Sequence, residues 1–207
     1  MALRNAVMAA LLEGEASGYD LAKGFQASVA NFWMATAQQI YRELERMEGE
    51  GLVAGRVVPQ EHRPDKRLYS LTGAGLDAVR AYTAEPPARP TAIRDELMVK
   101  VQCVDVGDLD AVRAAITDRM ELAAAKAARF ERGRVRLLAG RGEDEFFRTA
   151  ERVGPYLTCL RGLALERENL AWGERALKLL DRRAEALGRR PARPPAPADQ
   201  PRISPVS

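Results

Sequence analysis

Apolar residues recur along this chain in two rhythms, and the change of rhythm after Gly51 marks its first internal boundary. Leu3, Val7, Ala10 and Leu11 lie at helical spacing, with Gly14 as the stop. Ser17 is placed to cap a second helix, with Asp20 three residues on as in a capping box and Tyr19, Leu21, Phe25 and Val29 as the packing face. Thr36-Ala37-Gln38-Gln39 repeats the cap with a Gln at the third helical position; the helix it opens buries Ile40, Leu44 and Met47 and ends at Gly51. The period then falls to two. Leu52 to Val58 is short and β-branched, and Arg67-Leu68-Tyr69-Ser70-Leu71-Thr72 alternates like a half-exposed strand. The polar, proline-bounded stretch 59–66 joins them as a hairpin with a charged tip. Thr72-Gly73-Ala74-Gly75 starts a short helix through Leu76, Val79 and Tyr82.

Everything after residue 92 reads as helix. Ile93 to Val104 carries Leu97, Met98, Val101 and Cys103, and Leu109 to about Ala139 carries Leu109, Val112, Ile116, Met120, Ala123, Ala127, Phe130 and Leu137 at spacings of three and four, with one offset. From Glu143 to Leu187 two stripes repeat every seven residues: Leu163, Leu170 and Leu177, and Leu165, Trp172 and Leu179, about 200° apart at 100° per residue. A helix apolar on two sides is buried on two sides, which assigns one stripe to its own subunit and the other to a second copy. Gly154-Pro155 should kink or restart it.

The fold class expected is therefore mainly α: an N-terminal winged helix-turn-helix of three helices plus a β-hairpin wing, followed by an α-helical dimerisation domain. The boundaries are 1–84 for the winged helix, 85–91 for a proline-bearing linker, 92–187 for the helical domain and 188–207 for a Pro/Arg-rich tail expected to be disordered.

Composition narrows the function. The chain has 207 residues, 46% hydrophobic and 29% charged, enough for a core of ordinary size. Met1-Ala2-Leu3-Arg4-Asn5 has no signal-peptide character and no stretch approaches the roughly eighteen apolar residues of a membrane span, so the expectation is a cytoplasmic protein with no membrane partner. Cys103 and Cys159 each sit in apolar helical patterns and are expected as buried free thiols. One His and two Cys make no metal site, and there is no glycine-rich phosphate loop and no Ser-His-Asp set; no catalytic residue and no cofactor are expected. The net charge of +3 invites a nucleic-acid reading, but its distribution opposes one: residues 1–85 hold nine Lys/Arg against eleven Asp/Glu. DNA binding there must come from a local basic cluster set among carboxylates.

The runs Ser17-Gly18-Tyr19-Asp20-Leu21, Phe32-Trp33 and Gln39-Ile40-Tyr41-Arg42-Glu43-Leu44-Glu45-Arg46-Met47-Glu48-Gly49-Glu50-Gly51-Leu52-Val53 resemble the PadR family of transcriptional regulators. So does the wing, Arg63-Pro64-Asp65-Lys66-Arg67-Leu68-Tyr69-Ser70-Leu71-Thr72 followed by Gly75. Arg94 to Lys100 and Tyr156 to Leu177 are similar to the helical C-terminal half of longer family members. Gln38 stands where the family favours a small residue and Arg42 where it often has proline, so base contacts differ from those of relatives. The resemblance implies a repressor that binds a palindromic operator as a homodimer and is relieved by a small, often aromatic, effector.

On that reading Gln38, Gln39, Tyr41, Arg42 and Arg46 face double-stranded DNA from the recognition helix, where Gln pairs with adenine, Arg with guanine and a Tyr hydroxyl reaches phosphate. Glu43, Glu45 and Glu48 turn to solvent or hold Arg42 and Arg46 in i,i+3 and i,i+4 pairs. Arg63, Lys66 and Arg67 on the wing neutralise phosphates without reading sequence. His62 is given no metal or catalytic role. Leu163, Leu165, Leu170, Trp172, Leu177 and Leu179 are the dimerisation residues, and Phe146, Phe147, Tyr156 and Trp172 are candidates to line an effector cavity, although aromatic residues at helical spacing are more often plain core. A helical scaffold without specific DNA readout is the alternative; it leaves the hairpin and third helix unexplained.

Overall fold

The structure, a computed structural model, describes residues 2–25, 35–59, 65–86 and 94–188. Val29, Phe32, Trp33, His62, Arg63 and the tail from residue 189 lie outside the described residues, as does the Phe25 side chain. The chain divides into two compact units, Met1–Ile93 with Arg129–Ala164, and Arg94–Ala128 with Leu165–Ser207.

The first unit opens with helix α1 (Ala2–Leu11), strand β1 (Ala16–Ser17), helix α2 (Gly18–Phe25) and helix α3 (Ala37–Gly49). Strands β2 (Val53–Val58) and β3 (Lys66–Leu71) and helix α4 (Gly73–Ala84) follow. Val7, Met8 and Leu11 of α1, Leu21 of α2, Ile40, Leu44 and Met47 of α3, Val53 of β2 and Tyr69 of β3 make one core. The hairpin is antiparallel, pairing Val53 with Leu71 and Val58 with Lys66. A third strand went unforeseen: β1 pairs antiparallel with β3, Ala16 opposite Tyr69 and Ser17 opposite Leu68, giving the order β1-β3-β2. Two residues are too few to show a period of two, so the sequence carried no signal for it.

Local chemistry sets the joints. Ser17 Oγ accepts from the Asp20 backbone N–H at 3.1 Å, as a cap should, but donates to the Asp20 carboxylate at 2.8 Å, so the box closes between side chains. Thr72 Oγ1 accepts from Gly75 N–H and donates to the Gly51 carbonyl, pinning the start of α4 to the end of α3. Gly75 must be small there, because a Cβ would lie 2.1 Å from the Leu52 carbonyl oxygen. Tyr19 is a correction: expected on the packing face of α2, it is 65% exposed. It lies two residues from buried Leu21, about 200° round the helix, and cannot share a face with it.

Helix α5 (Glu96–Gln102) is shorter than the periodicity predicts, capped by Asp95, whose carboxylate accepts from Leu97 N–H. It ends before Cys103, which is exposed; the expected buried thiol is wrong for Cys103 and holds for Cys159. Met98 also turns outward, leaving Leu97 as the buried anchor. Helix α6 (Leu109–Leu138) runs without a break, and the chain then stops twice, giving α7 (Glu143–Thr149) and α8 (Gly154–Ala186). Gly154-Pro155 therefore restarts a helix rather than kinking one.

In the second unit Leu97, Val112 and Ile116 form a core into which Met120, Trp172, Leu177 and Leu180 pack. Arg119 bridges α6 to the cap of α5 with two 2.9 Å hydrogen bonds to Asp95, and Arg113 pairs with Asp181 of α8. In the first unit Phe130 of α6 lies over Gly162 of α8, and Cys159 Sγ donates to the Phe130 carbonyl at 3.2 Å. Among the described residues no helix is long and apolar enough to cross a membrane.

Candidate nucleic-acid interface

The cap of α3 fixes how that helix presents itself. Thr36 Oγ1 accepts from Gln39 N–H at 3.2 Å, and Gln39 Oε1 accepts from Thr36 N–H at 2.9 Å, a complete capping box. With Ile40, Glu43, Leu44 and Met47 buried on the core side, the 100° step places Gln38, Arg42 and Glu45 on the opposite ridge, and all three are exposed. Gln38 and Arg42 are thus polar side chains on the outermost line of the helix, near its N-terminal end. Gln39 lies on a flank with its amide oxygen already engaged.

The two flanks of α3 are tied down. On one, Arg46 and Arg4 of α1 both donate to the buried Glu43 carboxylate, and Arg4 also pairs with Glu50 at 2.7 Å. Arg46 is therefore held toward α1, an engagement that the expected i,i+3 pair foresaw only in part. On the other, Glu48 accepts from Gly55 N–H of β2 at 3.2 Å and takes Arg67 Nη2 of β3 on both oxygens, at 2.7 and 2.8 Å, joining recognition helix and wing. Tyr41 packs over the start of α2 so closely that a Cβ on Gly18 would meet its ring at 2.3 Å.

Between α2, α3 and β3 lies a cleft of about 580 Å³ lined by Tyr19, Asp20, Tyr41, Glu45, Asp65, Lys66, Arg67 and Tyr69 among others. Lys66 Nζ sits 2.7 Å from the Asp20 carboxylate. Lys66, and after it the Ser17 hydroxyl, hold the Asp20 carboxyl below its ordinary value. The structure thus gathers Tyr41, Lys66 and Arg67 round one cleft and sets Gln38 and Arg42 on the adjoining ridge, while Arg63 lies outside the described residues. Tyr19, Asp20 and Glu48 were missed as parts of this surface. The helical angle between Tyr19 and Leu21 was the available signal for the first; carboxylates that hold basic side chains across long sequence separations leave none.

A second cavity, of about 520 Å³, is lined by Phe130, Leu137, Phe146, Pro155 and Cys159 together with Glu13, Arg129, Arg136 and Arg152. Of the aromatic candidates only Phe146 lines it. Phe146, Phe147 and Tyr156 pack ring against ring at 5.0 to 5.7 Å, Tyr156 is fully buried, and its hydroxyl donates to Glu143 at 2.8 Å. Burial, and then the Glu143 carboxylate, push that hydroxyl above its ordinary value. Trp172 belongs to the other unit and packs in its core. Among the described residues no cluster of His, Cys, Asp and Glu could hold a metal ion.

Residues 7–81 match the model of the Transcriptional regulator PadR-like family, and residues 93–181 match that described as Virulence activator alpha C-term. A probable transcriptional regulator of Mycobacterium tuberculosis is 37% identical over 126 residues, covering 56% of this chain and 67% of that protein. The Negative transcriptional regulator PadR of Bacillus subtilis is 26% identical over 87% of this chain and 98% of its own length. Its structure in complex with operator DNA superposes with a TM-score of 0.71, covering 87% of this chain and 100% of that one at 26% identity. The same regulator in complex with p-coumaric acid gives a TM-score of 0.64 at 25% identity, over 87% of this chain and 99% of that one. With three helices followed by an antiparallel hairpin in place, and with these matches spanning both halves, the chain belongs to the PadR-like family and is a DNA-binding transcriptional regulator.

Proposed function

We propose that this regulator is a cytoplasmic repressor that binds an inverted-repeat operator as a homodimer and lets go when a small anionic aromatic molecule binds. The observation that carries the DNA reading is the ridge of α3: Gln38 and Arg42 stand exposed on the side opposite the buried Ile40, Leu44 and Met47. Side chains there reach base edges in a major groove, Arg toward guanine and Gln toward adenine, while Tyr41, Lys66 and Arg67, together with Arg63, meet the backbone. The likeness to a negative regulator solved on operator DNA supports the same reading.

The homodimer is supported by α8. The two stripes do not divide between subunits as expected, since Trp172 of the second packs in the same core as Leu177 of the first; but Leu179 is half exposed and Leu165 and Leu170 are only partly covered, which leaves apolar surface for a second copy. Two-fold symmetry then requires half-site centres about one helical turn, on the order of 10 base pairs, or a small multiple apart.

The effector reading rests on the 520 Å³ cavity, whose apolar lining suits a ring and whose Arg136 and Arg152 suit an anionic end. The Bacillus relative solved with p-coumaric acid, an aromatic carboxylate, supports that class. Selection of genomic fragments by the purified protein, followed by footprinting with and without added aromatic carboxylates, tests all three parts. A symmetric footprint lost on addition of ligand is expected. In Gly133→Leu, which pushes a side chain into the cavity lining, the footprint should survive the ligand. A single asymmetric half-site of full affinity would overturn the dimeric operator.

A further inference from the structure

The winged-helix segment is acidic on balance, and the two cations that open the second wing strand, β3, are already seated on carboxylates. Lys66 sits on Asp20 at 2.7 Å and Arg67 on Glu48 at 2.7 Å, pairs that join positions 46 and 19 residues apart in sequence. We propose that Asp20 and Glu48 are built-in counterions of the wing: in the free protein they occupy the cations that neutralise DNA phosphate, and so they hold down the sequence-independent part of DNA affinity. This inference rests on the DNA-binding reading of the wing.

Each carboxylate is anchored by something other than its cation. Glu48 accepts from the Gly55 backbone N–H at 3.2 Å, and Asp20 accepts from the Ser17 hydroxyl at 2.8 Å and stands at the first turn of α2. When Arg67 or Lys66 turns toward a phosphate, the carboxylate stays behind, so the phosphate must win the cation from a fixed competitor that also repels it. All four partners remain partly exposed, with side-chain exposures of 46% and 38% for Asp20 and Lys66 and 27% and 53% for Glu48 and Arg67. The pairs are therefore exchangeable at modest cost, about two- to fivefold in affinity for each. A phosphate contact made this way carries no sequence information, so the handicap applies alike to operator and to random duplex.

Gly55 gives an independent handle. A Cβ there would lie 2.6 Å from Glu48 Oε1 and 2.7 Å from Arg67 Nε, so Gly55→Ala pries the Glu48–Arg67 clasp open without changing any charge. The experiment compares the full-length wild type with Asp20→Asn, Glu48→Gln, Gly55→Ala and Glu45→Gln, titrating operator and scrambled duplexes across several salt concentrations, with thermal melts to confirm folding. Glu45 lines the same cleft but makes no ion pair among the described residues, so its neutralisation measures the general gain from deleting one negative charge. Expected is a gain of about two- to fivefold for Asp20→Asn and for Glu48→Gln, equal on both duplexes and larger than that of Glu45→Gln, with Gly55→Ala moving the same way. Weaker binding by Glu48→Gln and Gly55→Ala would overturn the proposal and make Glu48 a positioning residue for Arg67. Gains no larger than that of Glu45→Gln would overturn it too. A wild type that retains no duplex even at low salt would overturn the DNA-binding reading and this inference together, whereas firm wild-type binding with unimproved variants sinks only the counterions.

Discussion

Glu43, on the core side of α3, accepts from Arg4 Nε of α1 at 3.1 Å and from Arg46 Nη2 at 2.6 Å, so one buried carboxylate fixes the recognition helix to the first helix. Burial pushes this carboxyl up, but the guanidinium groups of Arg46 and Arg4 outweigh it and hold it below its ordinary value. A depressed folded-state value means stability that is present above the ordinary carboxyl range and lost as pH falls through the folded-state one. Glu43→Gln should cost about 1–3 kcal/mol at neutral pH, since both cations lose their charged acceptor. At a pH below the depressed folded-state value the wild type protonates this group and its advantage should shrink. Urea melts at both pH values check this, and a gap of the same size at each would refute it.

Two helical glycines separate stiff from yielding neighbours. A Cβ at Gly162 would lie 2.3 to 2.8 Å from three ring atoms of buried Phe130, whereas one at Gly173 would meet Met120 Cγ and Sδ at 2.5 and 2.6 Å. A ring locked in a core has nowhere to go, while an unbranched thioether side chain re-packs. Gly162→Ala should therefore destabilise by about 1–3 kcal/mol despite its gain in helix propensity, and Gly173→Ala by less than about 1 kcal/mol. Chemical denaturation ranks them, and the opposite order would show that Phe130 is the freer of the two.

Much of this was legible because hydrophobic period and capping chemistry are local. Thr36 and Gln39 are three residues apart, and the box they form can be read from the letters alone. The same holds for Thr72 before Gly75, whereas at Gly154-Pro155 the letters announce a kink or a restart and only the fold decides for the restart. Strand β1 was not legible, since its two residues acquire meaning only from Tyr69 and Leu68 opposite them. The site divided along the same line. That Gln38 and Arg42 point outward follows from the helical step, but Asp20–Lys66, Glu48–Arg67 and Arg4–Glu43 join residues 19 to 46 positions apart and depend on tertiary packing. Tyr156 falls to the plainer of the two readings the sequence offered, an aromatic ring that the fold spends on its own core and a hydrogen bond to Glu143.

If Leu165 and Leu179 of the second stripe meet a partner copy, the more open of the two should matter to assembly and little to the subunit. Leu179 is 50% exposed, so Leu179→Lys removes little intramolecular packing and should change monomer stability by no more than about 0.5 kcal/mol. Placed at a two-fold interface, each substitution occurs on both sides and sets a charge into apolar surface. The dimer dissociation constant should rise by at least about tenfold, as an interface anchor worth more than 1 kcal/mol requires. Light scattering across a dilution series measures it. An unchanged dimer would move the interface off this stripe.

Gln38, Gln39 and Arg42 sit within five positions of one another, yet the structure gives them different occupations, and substitution should separate them. Gln39 spends its amide oxygen on the Thr36 backbone N–H, so Gln39→Ala should cost on the order of 1 kcal/mol of stability through the lost cap. Its effect on DNA should then reach operator and scrambled duplex together, through fraying of the first turn that carries Gln38. Gln38 and Arg42 make no ion pair or hydrogen bond among the described residues and stand on the outer ridge, so neither Ala variant should lower the melting temperature appreciably. If they read base edges, each should weaken the operator by roughly 1–3 kcal/mol, relax preference at one base-pair position and leave scrambled DNA less affected. Arg63→Ala and Lys66→Ala make the contrast, weakening both duplexes alike and lowering the magnitude of the log-affinity against log-salt slope by about one. Discrimination left intact by Arg42→Ala would remove that residue from the base-reading set. Discrimination altered by the wing variants instead would put sequence readout in the minor groove and reverse the roles of helix and wing.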